Sequence, residues 1–128
     1  MVLSQAQACL PEEACGLLGG RGAAAWRAIP IENVEHSRSR YRLEPQAQIE
    51  AMLGLERTGE ELVGIFHSHP AGPTALSDTD VEEARYPECV YLVLSQDGGA
   101  WVGRAYRIGS GAVQPVSLVI GGATSELG

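Results

Sequence analysis

His67-Ser68-His69-Pro70, followed by Ser77 and Asp80, spaces two imidazoles, a hydroxyl and a carboxylate as H-x-H-x7-S-x2-D. Histidines two residues apart point the same way on an extended strand, because strand side chains alternate faces. After the turn that Pro70, Gly72 and Pro73 impose, an aspartate at position 80 comes round to the same spot. Two imidazoles and a carboxylate form the protein ligand set of a zinc hydrolase, with the fourth position left for water. A plainer reading stands beside this one. Ser77-x-x-Asp80 also fits a capping box, in which a serine and an acidic residue satisfy free N–H groups at a helix start.

A metal-activated water still needs a carboxylate to take and return its proton. Asp78 neighbours a candidate ligand, so the base is sought elsewhere. In Leu10-Pro11-Glu12-Glu13-Ala14-Cys15-Gly16-Leu17-Leu18-Gly19-Gly20, Glu13 opens an apolar, strand-like run. A carboxylate at the mouth of a buried strand is a candidate base. The alternative is that Glu12 and Glu13 are both solvated loop residues beside a proline.

The pattern P-x-E-x-C-G-L-L-x-G, then H-x-H-P with S-x-x-D downstream, resembles the JAMM (MPN-plus) zinc metalloprotease family. Between these motifs, Asn33, Ser37, Arg40, Tyr41 and Glu44-Pro45 are similar to a stretch of its small bacterial members. The resemblance runs from about Leu10 to Asp80. It implies that His67, His69 and Asp80 hold one zinc ion per chain. It further implies that Glu13 is the general base, and that Ser77 donates a hydrogen bond to the developing oxyanion. Glu12 falls on a variable position. Glu44 stands where aspartate is usual and is expected to weaken the cap of the following helix. The reaction implied is hydrolysis of the bond after the Gly-Gly tail of a ubiquitin-like sulfur-carrier protein. The alternatives are an isopeptidase on ubiquitin-like conjugates, a hydrolase of small amides, and a metal-free scaffold.

The elements that must position these residues read as a mixed α/β (α+β) chain. Helices are expected at Val2 to Ala8, at Pro45 to about Thr58, and from Asp78 to Tyr86. Strands are expected at Ala14 to Leu18, Ala24 to Ile31, Leu62 to His69, Val90 to Leu94, Trp101 to Arg107 and Ala112 to Val119. The first two strands would meet at Gly19-Gly20-Arg21-Gly22. In the long helix, Ile49, Met52 and Leu53 are expected to face the core. Trp26, Trp101 and Tyr91 read as packing residues, and His36 as a solvated loop residue. The length fits one domain, read over residues 1–120 with a flexible tail over 121–128, and the resemblance implies a central curved mixed sheet flanked by helices.

Composition bounds the function. The chain has 128 residues, sixteen acids and nine bases, for a formal charge of −7. That argues against nucleic acid as a partner, since phosphate binding needs a basic surface. All nine bases are arginine. Arg38, Arg40 and Arg42 alternate, and either line a solvated edge or contact an acidic partner near the cleft. No apolar run reaches the roughly 18–20 residues that span a bilayer. Three cysteines (Cys9, Cys15, Cys89) without ligand spacing or a leader segment fit reduced thiols in the cytoplasm.

Overall fold

The computed structural model describes residues 2–70, 76–109 and 112–118. The element order is α1 (Val2–Ala8), β1 (Cys15–Arg21), β2 (Ala24–Ile31), α2 (Pro45–Arg57), β3 (Glu61–His69), α3 (Asp78–Glu82), β4 (Val90–Asp97), β5 (Ala100–Gly109) and β6 (Ala112–Val116). The strands form one mixed sheet in the order β2-β1-β3-β4-β5-β6. Only β3 and β4 pair in parallel, with α3 in the crossover; the other neighbours are antiparallel. The tail expected over 121–128 lies outside the described residues.

Alternation along the strands divides the core between two faces. On one face, Phe66, Leu92 and Leu94 pack against Val2 and Ala6 of α1. On the other, Cys15, Leu17, Ile65, Tyr91 and Ile108 form the larger cluster, with Ala47, Ala51 and Met52 of α2 packed against it. Gly16 lets β1 lie close to both neighbours. A Cβ there would meet the Ile29 carbonyl oxygen and sit 2.5 Å from the Phe66 ring.

Several expectations about elements change. β1 does not stop at the glycines but runs on to Arg21, with register shifts on both sides of it around Gly19. Glycine in a strand marks a bulge or a close approach. A Cβ on Gly19 would strike the Leu55 side chain of α2. The hairpin turns at Gly98-Gly99, both at positive φ, which the tight two-residue connection requires.

The stripe of α2 that meets the sheet is Ala47, Ala51, Met52 and Leu55. Ile49 and Leu53 are about half exposed on the other side. Of the three residues expected inward, only Met52 packs against the core, and Ala47, Ala51 and Leu55 complete the stripe. Glu44 caps α2 with both carboxylate oxygens, accepting from the backbone N–H of Ala47 at 2.8 Å and of Gln46 at 3.1 Å. The longer side chain therefore reaches the helix start and makes the cap. Trp26 is exposed rather than packed. It lies on edge strand β2, where its Nε1–H donates to Glu60 at 2.6 Å. Trp101 packs beside α1, and Tyr91 is buried.

Candidate metal centre

Backbone pairing brings the two halves of the site together. Cys15 of β1 lies opposite His67 of β3, so Glu13 reaches the same end of the sheet as His67 and His69. Ser68, the residue between the histidines, fastens this junction. Its N–H donates to the Ala14 carbonyl at 3.0 Å, and its Oγ accepts from the Ala14 N–H at 2.8 Å. Glu13 is held on both sides. Its N–H donates to the Ser37 carbonyl at 2.7 Å, and its carbonyl accepts from Asn33 Nδ2 at 3.1 Å. The same Asn33 amide donates to Arg40 O and accepts from the N–H groups of Glu35 and Arg42. One buried side chain thus fixes the base strand and the 33–42 loop together.

His67, His69 and Asp80 converge on one point. The two Nε2 atoms are 3.1 Å apart, and Asp80 Oδ2 is 3.2 Å from that of His67 and 3.0 Å from that of His69. Tetrahedral zinc with bonds of about 2.0–2.1 Å sets neighbouring ligand atoms about 3.3 Å apart. The triangle is therefore close to one face of such a coordination shell. Burial alone would raise the Asp80 carboxyl, but its hydrogen bonds with His67 and His69 win and hold it well below the usual carboxylate range. Burial drives His67 the other way, toward the neutral imidazole. A charged carboxylate and neutral imidazoles are the forms that bind metal. Lone pairs this close repel unless a proton or a cation lies among them. The donor set therefore fits zinc.

Glu13 is buried, with Oε1 free of any hydrogen-bond partner. Its carboxylate and the two imidazoles offer ligand atoms within 4.8 Å of one another. Burial pushes its carboxyl up to about 7, against the pull of His69. Ser77 and Asp80 also realise the capping box. Ser77 Oγ accepts from the Asp80 N–H at 3.0 Å, and the Ser77 N–H donates to Asp80 Oδ2 at 2.9 Å. The two readings of this motif are compatible, because the cap aims Asp80 and leaves the Ser77 hydroxyl proton available. α3 ends earlier than expected, at Glu82.

The structure thus gathers Glu13, His67, His69 and Asp80, with Ser77 at the rim. Sequence reasoning passed over Ser68 and Ser95. Ser95 lies beside His69 in the β3–β4 register. Its Oγ, Glu13 Oε1 and His67 Nδ1 are buried and without partners. Such atoms are rare in native interiors and need a reason. All three lie at the end of the sheet that carries the histidines. No spacing rule could have found Ser68 or Ser95, because their roles depend on which strand lies alongside.

A cavity of about 580 Å³ opens beside Tyr41, with Arg40, Arg42 and Arg85 among its lining residues. The Arg38–Arg42 stretch is irregular rather than a strand edge, and Arg40 pairs with Glu83 at 3.6 Å. Cys9, Cys15 and Cys89 are free thiols. No described helix is long and apolar enough to cross a membrane.

The family model for prokaryotic homologs of the JAB domain matches residues 2–109. The chain belongs to this family. Three similar JAB-family relatives carry names that state an activity. A desampylase of Haloferax volcanii is 37% identical over 111 residues, 81% of this chain and 80% of the relative. A probable TtuB-protein conjugate cleaving protease of Thermus thermophilus is 39% identical, covering 86% and 70%. A CysO-cysteine peptidase of Mycobacterium tuberculosis is 39% identical, covering 85% and 78%. Among solved structures, a Desulfitobacterium hafniense protein matches at TM-score 0.84 and 30% identity, covering 96% of this chain and 88% of its own. A JAB1/MPN domain protein of Archaeoglobus fulgidus matches at TM-score 0.60 and 20% identity, covering 91% and 87%, and shares the fold.

His36, expected to be merely solvated, bridges two acids of the JAB domain. Its Nδ1 lies 3.2 Å from Glu12 and its Nε2 3.0 Å from Glu32. The hydrogen bond to Glu12, with the help of Glu32, raises its pKa above the ordinary value. A raised folded pKa means that the protonated pair stabilises the fold fully below about 6.5, the unfolded value. That contribution is lost as pH rises through the folded pKa. Imidazole proton NMR should show a midpoint above 6.5, falling back toward it in Glu12→Gln.

Proposed function

We propose that this chain is a zinc-dependent peptidase that hydrolyses the bond after the Gly-Gly tail of a ubiquitin-like sulfur-carrier protein. The observation that carries the reading is the triangle of His67, His69 and Asp80, with the unpartnered Oε1 of Glu13 beside it. Zinc held by the triangle would acidify a water and polarise the scissile carbonyl. Glu13 Oε1 takes the proton from that water and returns it to the departing amine. The Ser77 hydroxyl donates to the carbonyl oxygen as charge develops there. The names of the relatives support a peptide or conjugate bond as substrate. Glycines suit a strand-edge channel, having no side chains to exclude. Two of those names point to conjugates, which favours isopeptide cleavage as the second reading.

Ser77→Ala separates its two duties. Loss of the cap should cost about 1 kcal/mol of stability, read by urea unfolding. Loss of the donor should cost about 10²–10³ in kcat. A stability loss with unchanged kcat would leave Ser77 a cap alone.

The reaction is tested by intact-mass analysis. The substrates are a Gly-Gly carrier with a C-terminal extension and the same carrier joined to a lysine side chain. Loss of mass ending at Gly-Gly in the first establishes the peptidase, and in the second the isopeptidase. No loss in either, with zinc bound, removes carrier tails as the substrate.

A further inference from the structure

The geometry points to Tyr41 as the positioning residue that orients His67 toward the metal, in place of a hydrogen bond. The inference rests on the zinc reading of the triangle. A metal-binding imidazole ordinarily donates its other ring N–H to a carboxylate, a carbonyl or water, which fixes the angle of the ring. His67 is fully buried, with Nε2 in the triangle, and its Nδ1 has no hydrogen-bond partner. Apart from the contacts of Nε2 within the triangle itself, nothing polar sets its rotation about the Cβ–Cγ bond, a torsion that is intrinsically broad.

Aromatic contact supplies the missing constraint. The Tyr41 ring lies on the His67 imidazole with centroids 4.3 Å apart and planes inclined by only 15°. The ring of His69 meets His67 edge-on, with centroids 4.8 Å apart. Stacked on one ring and edged by another, the His67 imidazole cannot rotate without moving a packed neighbour.

Tyr41 is itself held from both sides. Asn33 donates to the carbonyl of Arg40 at 3.0 Å and accepts from the N–H of Arg42 at 3.0 Å. The N–H of Val34 donates to Arg42 O at 3.0 Å. Because the same Asn33 amide binds the Glu13 carbonyl, the stacking ring and the base share one anchor. Only the flat face of Tyr41 is needed for this role, which the phenylalanine ring reproduces.

The test is zinc affinity, measured by competition with a chromogenic chelator, together with the visible absorption of the cobalt-substituted protein. Tyr41→Phe should bind zinc within about twofold of wild type and keep the wild-type cobalt spectrum. Tyr41→Leu and Tyr41→Met fill the space without a plane. They should lose about 10–100-fold in affinity, as loss of an orienting partner does, and shift the cobalt bands. Whichever of these two folds, shown by wild-type far-UV dichroism, serves the comparison. Wild-type affinity and cobalt bands in that variant would overturn the inference. So would a loss in Tyr41→Phe equal to that in Tyr41→Leu, since the hydroxyl would then be the active part. Absence of zinc from the wild-type protein would instead overturn the zinc reading beneath it.

Discussion

Glu13→Gln is expected to lower turnover by about 10²–10⁴-fold, the usual contribution of a positioned general base, while zinc remains at one per chain. The substitution keeps the volume of the side chain and the backbone bonds to Ser37 and Asn33 that fix it. It removes only the ability to accept a proton. A carboxylate oxygen that is buried and without a partner, within 4.8 Å of the imidazole donors, has no evident structural duty. Glutamine should therefore fold as well as the wild type. The same proximity admits a rival assignment in which Glu13, His67 and His69 are the ligands and Asp80 only orients them. Metal analysis by plasma emission separates the two. Retained zinc with lost turnover makes Glu13 the base, whereas lost zinc makes it a ligand.

Asp80→Ala should all but abolish zinc binding, with a loss well beyond the about 10–100-fold that removal of an orienting partner causes. Asp80 Oδ2 lies 3.2 Å from Nε2 of His67 and 3.0 Å from Nε2 of His69. The variant also loses half of the capping box, which costs about 1 kcal/mol and is not the main effect. Thermal unfolding reads the difference. At a thousandfold excess of free zinc over Kd, binding adds about 4.1 kcal/mol to the stability of the native state. For a domain of this size that raises Tm by on the order of ten degrees. Asp80→Ala should show almost none of this rise. An undiminished rise would remove Asp80 from the ligand set.

Much of this site was legible in the linear pattern because its residues sit at fixed offsets within single elements. His67 and His69 share a strand face, and Ser77 and Asp80 share the first turn of a helix. Glu13 could be raised as a candidate from its place at the mouth of a strand, but its role rested on the resemblance, since the β1–β3 pairing that brings it in spans more than fifty residues. The element order was legible for the same local reasons, while the burial of particular side chains was not. Ile49 and Leu53 were expected inward, with Met52, from their helical spacing. Only Met52 packs inward, beside Ala47 and Ala51. Trp26 was expected to pack, but its strand is the sheet edge. Ser68, Ser95 and the stack of Tyr41 on His67 depend on register and loop closure, which no one-dimensional period encodes.

The most direct measurement is cleavage of the extended Gly-Gly carrier by the native, the chelator-stripped and the zinc-restored protein, each followed by intact mass. Hydrolysis at Gly-Gly that disappears on stripping and returns with one equivalent of zinc is the expected result. Hydrolysis that persists after complete removal of the metal would contradict a reaction built on His67, His69 and Asp80.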